Sequence, residues 1–298
     1  MRELTPERRA FIILSHLTEP GDHAVGRLVQ DYGPVEAVDM IVSERIAIPS
    51  FNHYALVQRT KPRFRTTIVG DVLALCERAS IDVVIPSDDD YPSEQLRGLG
   101  TGMPFVLYVR GDAGLLAGGL PHSVAIVGAR AATSYGEHVT GELVADLVKD
   151  HLIVSGAAYG IDGAAHRMVL AAGGKTVAFL AGGVDRMYPA GHQEMGERII
   201  ANGALVSEVP PGSAPTKWRF LLRNRLIAAL GEASIVVEAG FRSGSLNEAG
   251  HARSLGRPVG AVPGPVTSAA SAGCHRLIQE GASLITSAAD IRALTTGE

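Results

Sequence analysis

The chain has 298 residues, of which 46% are hydrophobic and 19% charged, with a formal net charge of −4. That is the composition of a globular protein with a real core, long enough for one large domain or two ordinary ones. A negative total excludes a uniformly basic surface, so any binding to nucleic acid must come from a local patch.

Cys76 and Cys274 are the only cysteines and form no CxxC pair, which argues against a disulfide framework or a thiolate metal site. The N-terminal stretch MRELTPERRAFIILSHL is broken by His16 and lacks the long apolar region and small-residue cleavage site of a signal peptide. No apolar run is long enough to span a membrane. The expected setting is the cytoplasm.

Residues 1–65 read as short helices. Thr5-Pro6-Glu7 is a helix start, with Thr as cap and Pro at the first helical position. PGDHAVGRLVQDYGPVEAVDM carries two more helical patterns separated by Tyr32-Gly33-Pro34, and the basic run RTKPRFR (59–65) reads as a loop broken by proline. A helix is expected over 66–79, strands over 81–86 and 104–111, and a turn at SDDDYP between them. From residue 123 onward, short β-branched runs at 123–127, 152–155, 176–181, 205–208, 234–238 and 259–262 alternate with helical patterns. Alternation of this kind means βαβ units and a mostly parallel sheet with helices on both faces. SLIT (283–286) is expected as an added edge strand.

Ligands of open parallel sheets bind beyond the carboxyl ends of the strands. Gly128, Gly156, Gly182-Gly183, Gly240 and Gly264 all fall at such ends. Each alone fits an ordinary turn, but together they suggest a ligand close to the backbone. In SVAIVGARAATSYG (123–136) a strand, a tight turn and a helix start make an anion seat. Its GxRxxxxYG pattern is not the dinucleotide GxGxxG, and Arg130 offers a donor fork suited to phosphate. RSGSLNEAGHA (242–252) is a second seat of the same design, with Glu248 one turn into its helix, where it faces a bound ribose or simply complements the helix dipole. KWRFLLRNR (217–225) interleaves Trp218 and Phe220 with four positive charges, a pattern suited to single-stranded nucleic acid or, more blandly, to an amphipathic helix start. Asp162 and His166 lie four apart on one helix face, and Glu248 with His251 has no companion metal ligands, so no metal site is expected.

Taken together, several segments resemble the DNA-processing protein A (DprA, also called Smf) family. They are PFVLYVRGDAGLL, VAIVGARAATSYG, IVSGAAYGIDGAAHRM with its GGVDRMYPAGH turn, LVSEVPPGSAPTKWRFLLRNRLIAAL, SIVVEAGFRSGSLNEAGHARSLGRPVGAVPG and SAGCHRLIQEGA. The resemblance implies an α/β fold: an extended Rossmann-like, mostly parallel sheet over 66–298, behind a small helical (SAM-like) N-terminal domain over 1–65. It implies no enzyme and no cofactor, but a homodimer that binds and protects single-stranded DNA and loads the RecA recombinase during transformation or recombination. By position, Arg130 would hold a backbone phosphate, and Arg223, Asn224 and Arg225 would line the DNA groove. Gly128, Ser155, Gly156, Gly244 and Ser245 would form the anion-facing rim, with Arg242, Lys175 and Lys217 as basic contributors. Three departures stand out. The C-terminal winged-helix domain of many members is not expected here. Tyr159 replaces the arginine common before GID. Asn247-Glu248 replaces the usual continuation of SGSL, which makes GSLNE similar to the GT-x-x-E block of the lonely-guy (LOG) phosphoribohydrolases. The alternative is therefore a nucleotide N-glycosidase using Glu248, or a nucleotide-sensing module.

Overall fold

The computed structural model describes residues 2–45, 53–118 and 120–296. Helices lead the chain: α1 (Pro6–Leu17), α2 (His23–Tyr32), α3 (Pro34–Val42), α4 (His53–Thr60) and α5 (Ile68–Ala79). Strand β1 (Asp82–Val84), the short α6 (Ser93–Leu96) and β2 (Leu107–Gly111) follow. The alternating region then runs β3 (His122–Val127), α7 (Ser134–Leu147), β4 (His151–Ser155), α8 (Ile161–Ala171), β5 (Thr176–Phe179), α9 (Gln193–Asn202) and β6 (Ala204–Ser207). It continues with α10 (Lys217–Leu230), β7 (Ala233–Val236), α11 (Ser245–Ser254), β8 (Val259–Ala261), α12 (Ala272–Gln279), β9 (Ser283–Leu284) and α13 (Ala288–Thr296).

The strands make one sheet in the order β1-β2-β6-β5-β4-β3-β7-β8-β9. Pairing is parallel from β6 through β9, while β1–β2 and β2–β6 are antiparallel. Both faces are covered, as a parallel sheet requires. Alternate side chains of β3 show it: Ala125 and Val127 pack into the cluster beneath α10, α11 and α12, while Val124 and Ile126 pack into the cluster beneath α7, α8 and α13.

The leading helices share their core with the sheet. Phe11, Ile12, Leu14, Val25, Leu28, Ile41, Val69 and Val72 join Val83, Val106, Tyr108, Ala178 and Leu205 in one buried cluster. Polar ties reinforce it. Thr5 caps α1 through the Arg8 amide at 3.1 Å. Arg8, itself buried, reaches across to donate to Asp88 and to the Val83 carbonyl at 2.7–2.9 Å. The buried hydroxyls of Ser15 and Tyr108 share a hydrogen bond of 2.9 Å.

The basic run 59–65 departs from the expected loop. Residues 59 and 60 are the end of α4, and Lys61–Arg63 form a 3-10 turn with Pro62 inside it. Proline is tolerated at the first turn of a helix because the amide it lacks would be unpaired there anyway. Three of the run's four charges are paired: Arg59 with Asp22, Lys61 with Glu44 and Arg63 with Glu19.

Helix α2 approaches the 97–102 segment so closely that a Cβ at Gly26 would overlap the Thr101 carbonyl oxygen. The neighbour is backbone and cannot swing aside. Gly26→Ala is therefore expected to destabilise the protein by about 1–3 kcal/mol, the usual cost of overpacking. Urea denaturation measures it; an unchanged midpoint would mean that α2 is not held against this segment.

Candidate nucleic-acid interface

Where strand order reverses in a parallel sheet, loops leave neighbouring strands in opposite directions and open a crevice at the carboxyl ends. Here the reversal falls between β3 and β7. A cavity of about 610 Å³ occupies it. Its walls come from Val127–Ala131 after β3, Ala158 and Asp162 around α8, Phe220, Leu221, Arg223, Asn224 and Ile227 of α10, Gly240, Arg242–Ser245 and Glu248 after β7, and Ala269–Ala270.

Positions 220, 223, 224 and 227 of α10 follow the spacing of one helix face, which is why they meet at the cavity. Their neighbours on the other faces go elsewhere. Arg219 donates to both oxygens of Glu19, and Arg225 pairs with Glu208 at 2.8 Å and with the Gly102 carbonyl at 2.9 Å. Arg223 is only 6% exposed. Its Nη1 donates to the carbonyls of Gly156, at 2.7 Å, and Phe179, which tie off the ends of β4 and β5. Gly156 lies so close that a Cβ would overlap the guanidinium. Burial pulls the Arg223 pKa down to about 10, opposed by the charge of Asp162.

The loop after β3 hangs on Glu238, which is 2% exposed. Its carboxylate accepts from the Thr133 amide (2.8 Å) and hydroxyl (2.6 Å), and its carbonyl accepts from the Ala129 amide at 2.7 Å. Asn224 ties the start of α11, donating to the Gly244 carbonyl at 3.3 Å and to Asn247 at 3.2 Å. Arg130 stands at the mouth, exposed, with its guanidinium 4.7 Å from the centre of the Phe220 ring. Tyr188 lies against the same ring, 5.6 Å between centres. Among the described residues, neither Arg130 nor Arg242 has an ion pair or side-chain hydrogen bond. Two uncommitted guanidiniums face one crevice, on a protein whose net charge is −4; the first amides of α11 beside them are already paired, Ser245 with the Ser243 hydroxyl, Leu246 with the Ser243 carbonyl and Asn247 with the Gly244 carbonyl.

Two carboxyls sit beneath them. Glu248 is 1% exposed; its Oε1 accepts from the Ser234 hydroxyl at 2.7 Å, and its Oε2 has no partner. Burial pushes its pKa up to about 8, against the Ser234 bond and with the help of Asp162. Asp162 is likewise raised by burial, opposed by Arg223 and by backbone contacts with Ala158, Gly128 and Gly156.

The structure thus gathers Gly128, Arg130, Arg223, Asn224, Arg242, Gly244, Ser245 and Glu248 around one cavity. It does not bring the other expected residues there. Ser155 is fully buried with its hydroxyl donating to the Ile126 carbonyl, and Gly156 lies below the wall, against Arg223. Arg225 turns toward Glu208. Lys175 precedes β5 and so sits at the opposite end of the sheet. Lys217, at the first position of α10, is exposed and outside the cavity lining. His166 is core: its Nδ1 meets the Thr176 hydroxyl at 2.8 Å, and burial draws its pKa down to about 3. Among the described residues no three candidate ligands stand close enough to hold a metal ion. Sequence reasoning passed over Glu238 as a positioning group. The available signal was a carboxylate at the end of an apolar strand, since buried charges are rare unless paired.

Comparison with known proteins agrees on one family. The family profile described as DNA recombination-mediator protein A matches residues 82–296. A putative DNA processing protein DprA from Mycobacterium tuberculosis is 46% identical, over 97% of this chain and 75% of its own length. The DNA processing protein DprA of Streptococcus pneumoniae is 42% identical over 64% of this chain and 66% of its own length. The X-ray structure of DprA from S. pneumoniae superposes with a TM-score of 0.79 at 31% identity, covering 99% of both chains. DNA processing protein A from Helicobacter pylori, described for its single-stranded DNA binding mode, superposes with a TM-score of 0.62 at 30% identity, over 71% of this chain and 93% of that one.

The buried carboxyl yields a test of stability. With a folded-state pKa of about 8 against an ordinary 4.5, the native state holds the Glu248 proton more tightly than the unfolded chain does. Its contribution is fully present below the unfolded value and is lost as pH rises through the folded one. Glu248→Gln keeps the shape and removes the ionisation. Its melting temperature is expected to pull ahead of the parent's as pH rises from about 5 to about 9. A constant difference across that range would place an ordinary carboxylate at 248.

Proposed function

The chain belongs to the DNA recombination-mediator protein A (DprA/Smf) family, and from that premise we propose that it binds single-stranded DNA across the β3–β7 crevice. As a member of a family of mediators it is not an enzyme. The observation that carries the reading is Arg130, uncommitted among the described residues and stacked on Phe220 at the mouth of the cavity. A strand needs both of these chemistries at once: a cation for its phosphate and an aromatic face for its base. Arg242 supplies a second cation, beside Gly244 and Ser245 at the cavity rim. Arg223 and Asn224 hold the walls rather than the phosphates.

In this reading the protein acts as a homodimer in the cytoplasm, covers single-stranded DNA and hands it to the RecA recombinase. We further infer a division into a helical N-terminal domain over 1–65 and a Rossmann-like core from 66 onward. Its support is the run of helices that precedes the first strand at Asp82. Among the described residues no helix is long and apolar enough to cross a membrane.

Phosphate contacts release counterions, so affinity for a single strand falls with salt by a slope of about 0.7 per contact. Arg130→Ala is expected to weaken binding to every sequence alike and to shallow the salt slope by about that amount. Fluorescence anisotropy with a labelled oligonucleotide over a range of salt concentrations measures both; an unchanged slope would remove Arg130 from the backbone path. Phe220→Ala takes away the stacking face and should cost about 1–3 kcal/mol of binding at any salt concentration. The same titration reads both effects: loss of the stacking face moves the affinity, and any change of slope reports how far the phosphate contact of Arg130 depends on the ring it rests on.

A further inference from the structure

The crevice uses none of the basic run 59–65, yet one helix joins the two. Phe220 lines the cavity, and Arg219, the residue before it on α10, turns outward to the leading helices. There the two oxygens of Glu19 accept from Arg219 at 2.9 and 3.1 Å, and the same carboxylate meets Arg63 at 3.1 Å. One carboxylate serves two guanidiniums, so one positive charge is left over. Arg65 lies two residues further on. It is exposed and, among the described residues, has no ion pair or side-chain hydrogen bond. Burial, then the charges of Arg65 and Arg63, draw the His16 pKa down against Asp71, which puts both guanidiniums beside the end of α1.

The start of α10 closes the gap between this ridge and the crevice. Lys217 is exposed and stands one turn before Phe220, on the same side of the helix. Trp218, the only tryptophan in the chain, is 61% exposed. Arg59 and Lys61 add no charge, because Asp22 and Glu44 pair with them. Of the groups these contacts join, Lys217, Arg219, Arg63 and Arg65 are cations, against the carboxylates of Glu19 and Asp71. A chain whose net charge is −4 thus carries a second local excess of positive charge, outside the cavity.

The layout selects the ligand. These cations follow one another along a ridge instead of converging on a point, so a small anion would leave most of them unused and a polyanion would not. The exposed indole among them adds a stacking face, which a single strand can use and a duplex, with its bases already stacked, cannot. We propose that Lys217, Trp218, Arg219, Arg63 and Arg65 form a second contact surface for single-stranded DNA, over which a strand leaving the crevice continues onto the leading helices. Phosphates lie against Lys217, Arg63 and Arg65, and a base stacks on Trp218. Arg219 holds Arg63 in place through Glu19. The proposal rests on the single-strand reading for the origin of that strand. Its consequence is a longer site: a strand that fills only the crevice does not reach the ridge, and a longer one does.

The test compares oligothymidylates of about 6 and about 20 nucleotides, near the bottom and beyond the top of the span of one single-strand site. Each is titrated over a range of salt concentrations with the parent protein, with the double variant Arg63→Ala/Arg65→Ala and with Glu19→Gln. The double variant is expected to leave the short strand's affinity unchanged and to shallow the long strand's salt slope by about 1.4, for two phosphate contacts. Glu19→Gln should move the other way: removing the carboxylate returns a positive charge to the ridge and tightens the long strand, a gain that damage to the fold does not produce. The long strand should also quench the fluorescence of Trp218. A long-strand slope that the double variant leaves unmoved, or an unquenched Trp218, would overturn the ridge. Short-strand binding that Arg130→Ala weakens would then keep the crevice reading. Long-strand binding that depends on Arg63 and Arg65, with no short-strand binding, would keep the ridge while the crevice reading fails. No binding of either strand would overturn both.

Discussion

The buried guanidinium of Arg223 holds the interface together. Strands β4 and β5 end side by side with carbonyls that have no further strand residues to pair with, and Arg223 satisfies two of them at once. The cost of burying the cation is offset by those carbonyls and by Asp162 on the neighbouring helix. Phe220 is one turn earlier on the same helix, 5.9 Å from the Arg223 guanidinium, and Arg130 rests on the ring at 4.7 Å. The exposed cation is thus held in place through the ring by the buried one.

The net charge of the chain hides this arrangement because most of its basic groups are neutralised locally. Arg63 and Arg219 share Glu19, Arg225 takes Glu208, and Arg8 takes Asp88. Arg130 and Arg242, at the sheet's reversal point, have no such partner among the described residues. An acidic protein can offer a cationic crevice when its acids are spent as partners elsewhere, and specificity for a polyanion then lies in position rather than in total charge.

The sequence carried the outline of the fold because strands buried on both faces read as short apolar runs, and every expected run from 123 to 262 overlaps an observed strand. The site was legible where function and backbone coincide: glycines at strand ends, small hydroxyls before α11, and an arginine after β3. It was less legible on α10. A run of basic residues looks like one patch in print, but successive residues on a helix point about 100° apart. KWRFLLRNR is therefore split among solvent, Glu19, the cavity and Glu208. Ser155 and Lys175 failed for related reasons: the first ends its strand facing inward to the Ile126 carbonyl, and the second begins its strand, at the wrong end of the sheet. Glu238 went unseen because its part is played through the Thr133 and Ala129 backbone, contacts that no local pattern announces.

Helix α10 is anchored along its length to different layers: by Arg219 to Glu19 just beyond α1, by Arg223 to the strand ends, and by Arg225 to Glu208 and the 97–102 segment. Glu208 in turn holds the Gly21 amide, just ahead of α2. A beam fastened at three points has no hinge. Tension on a strand seated at Phe220 would pass into the helical layer and the sheet together rather than swing one against the other. For a strand bound as proposed, the interface would be an anvil and not a jaw: it would present a fixed shape to a flexible polymer, and the polymer would do the bending.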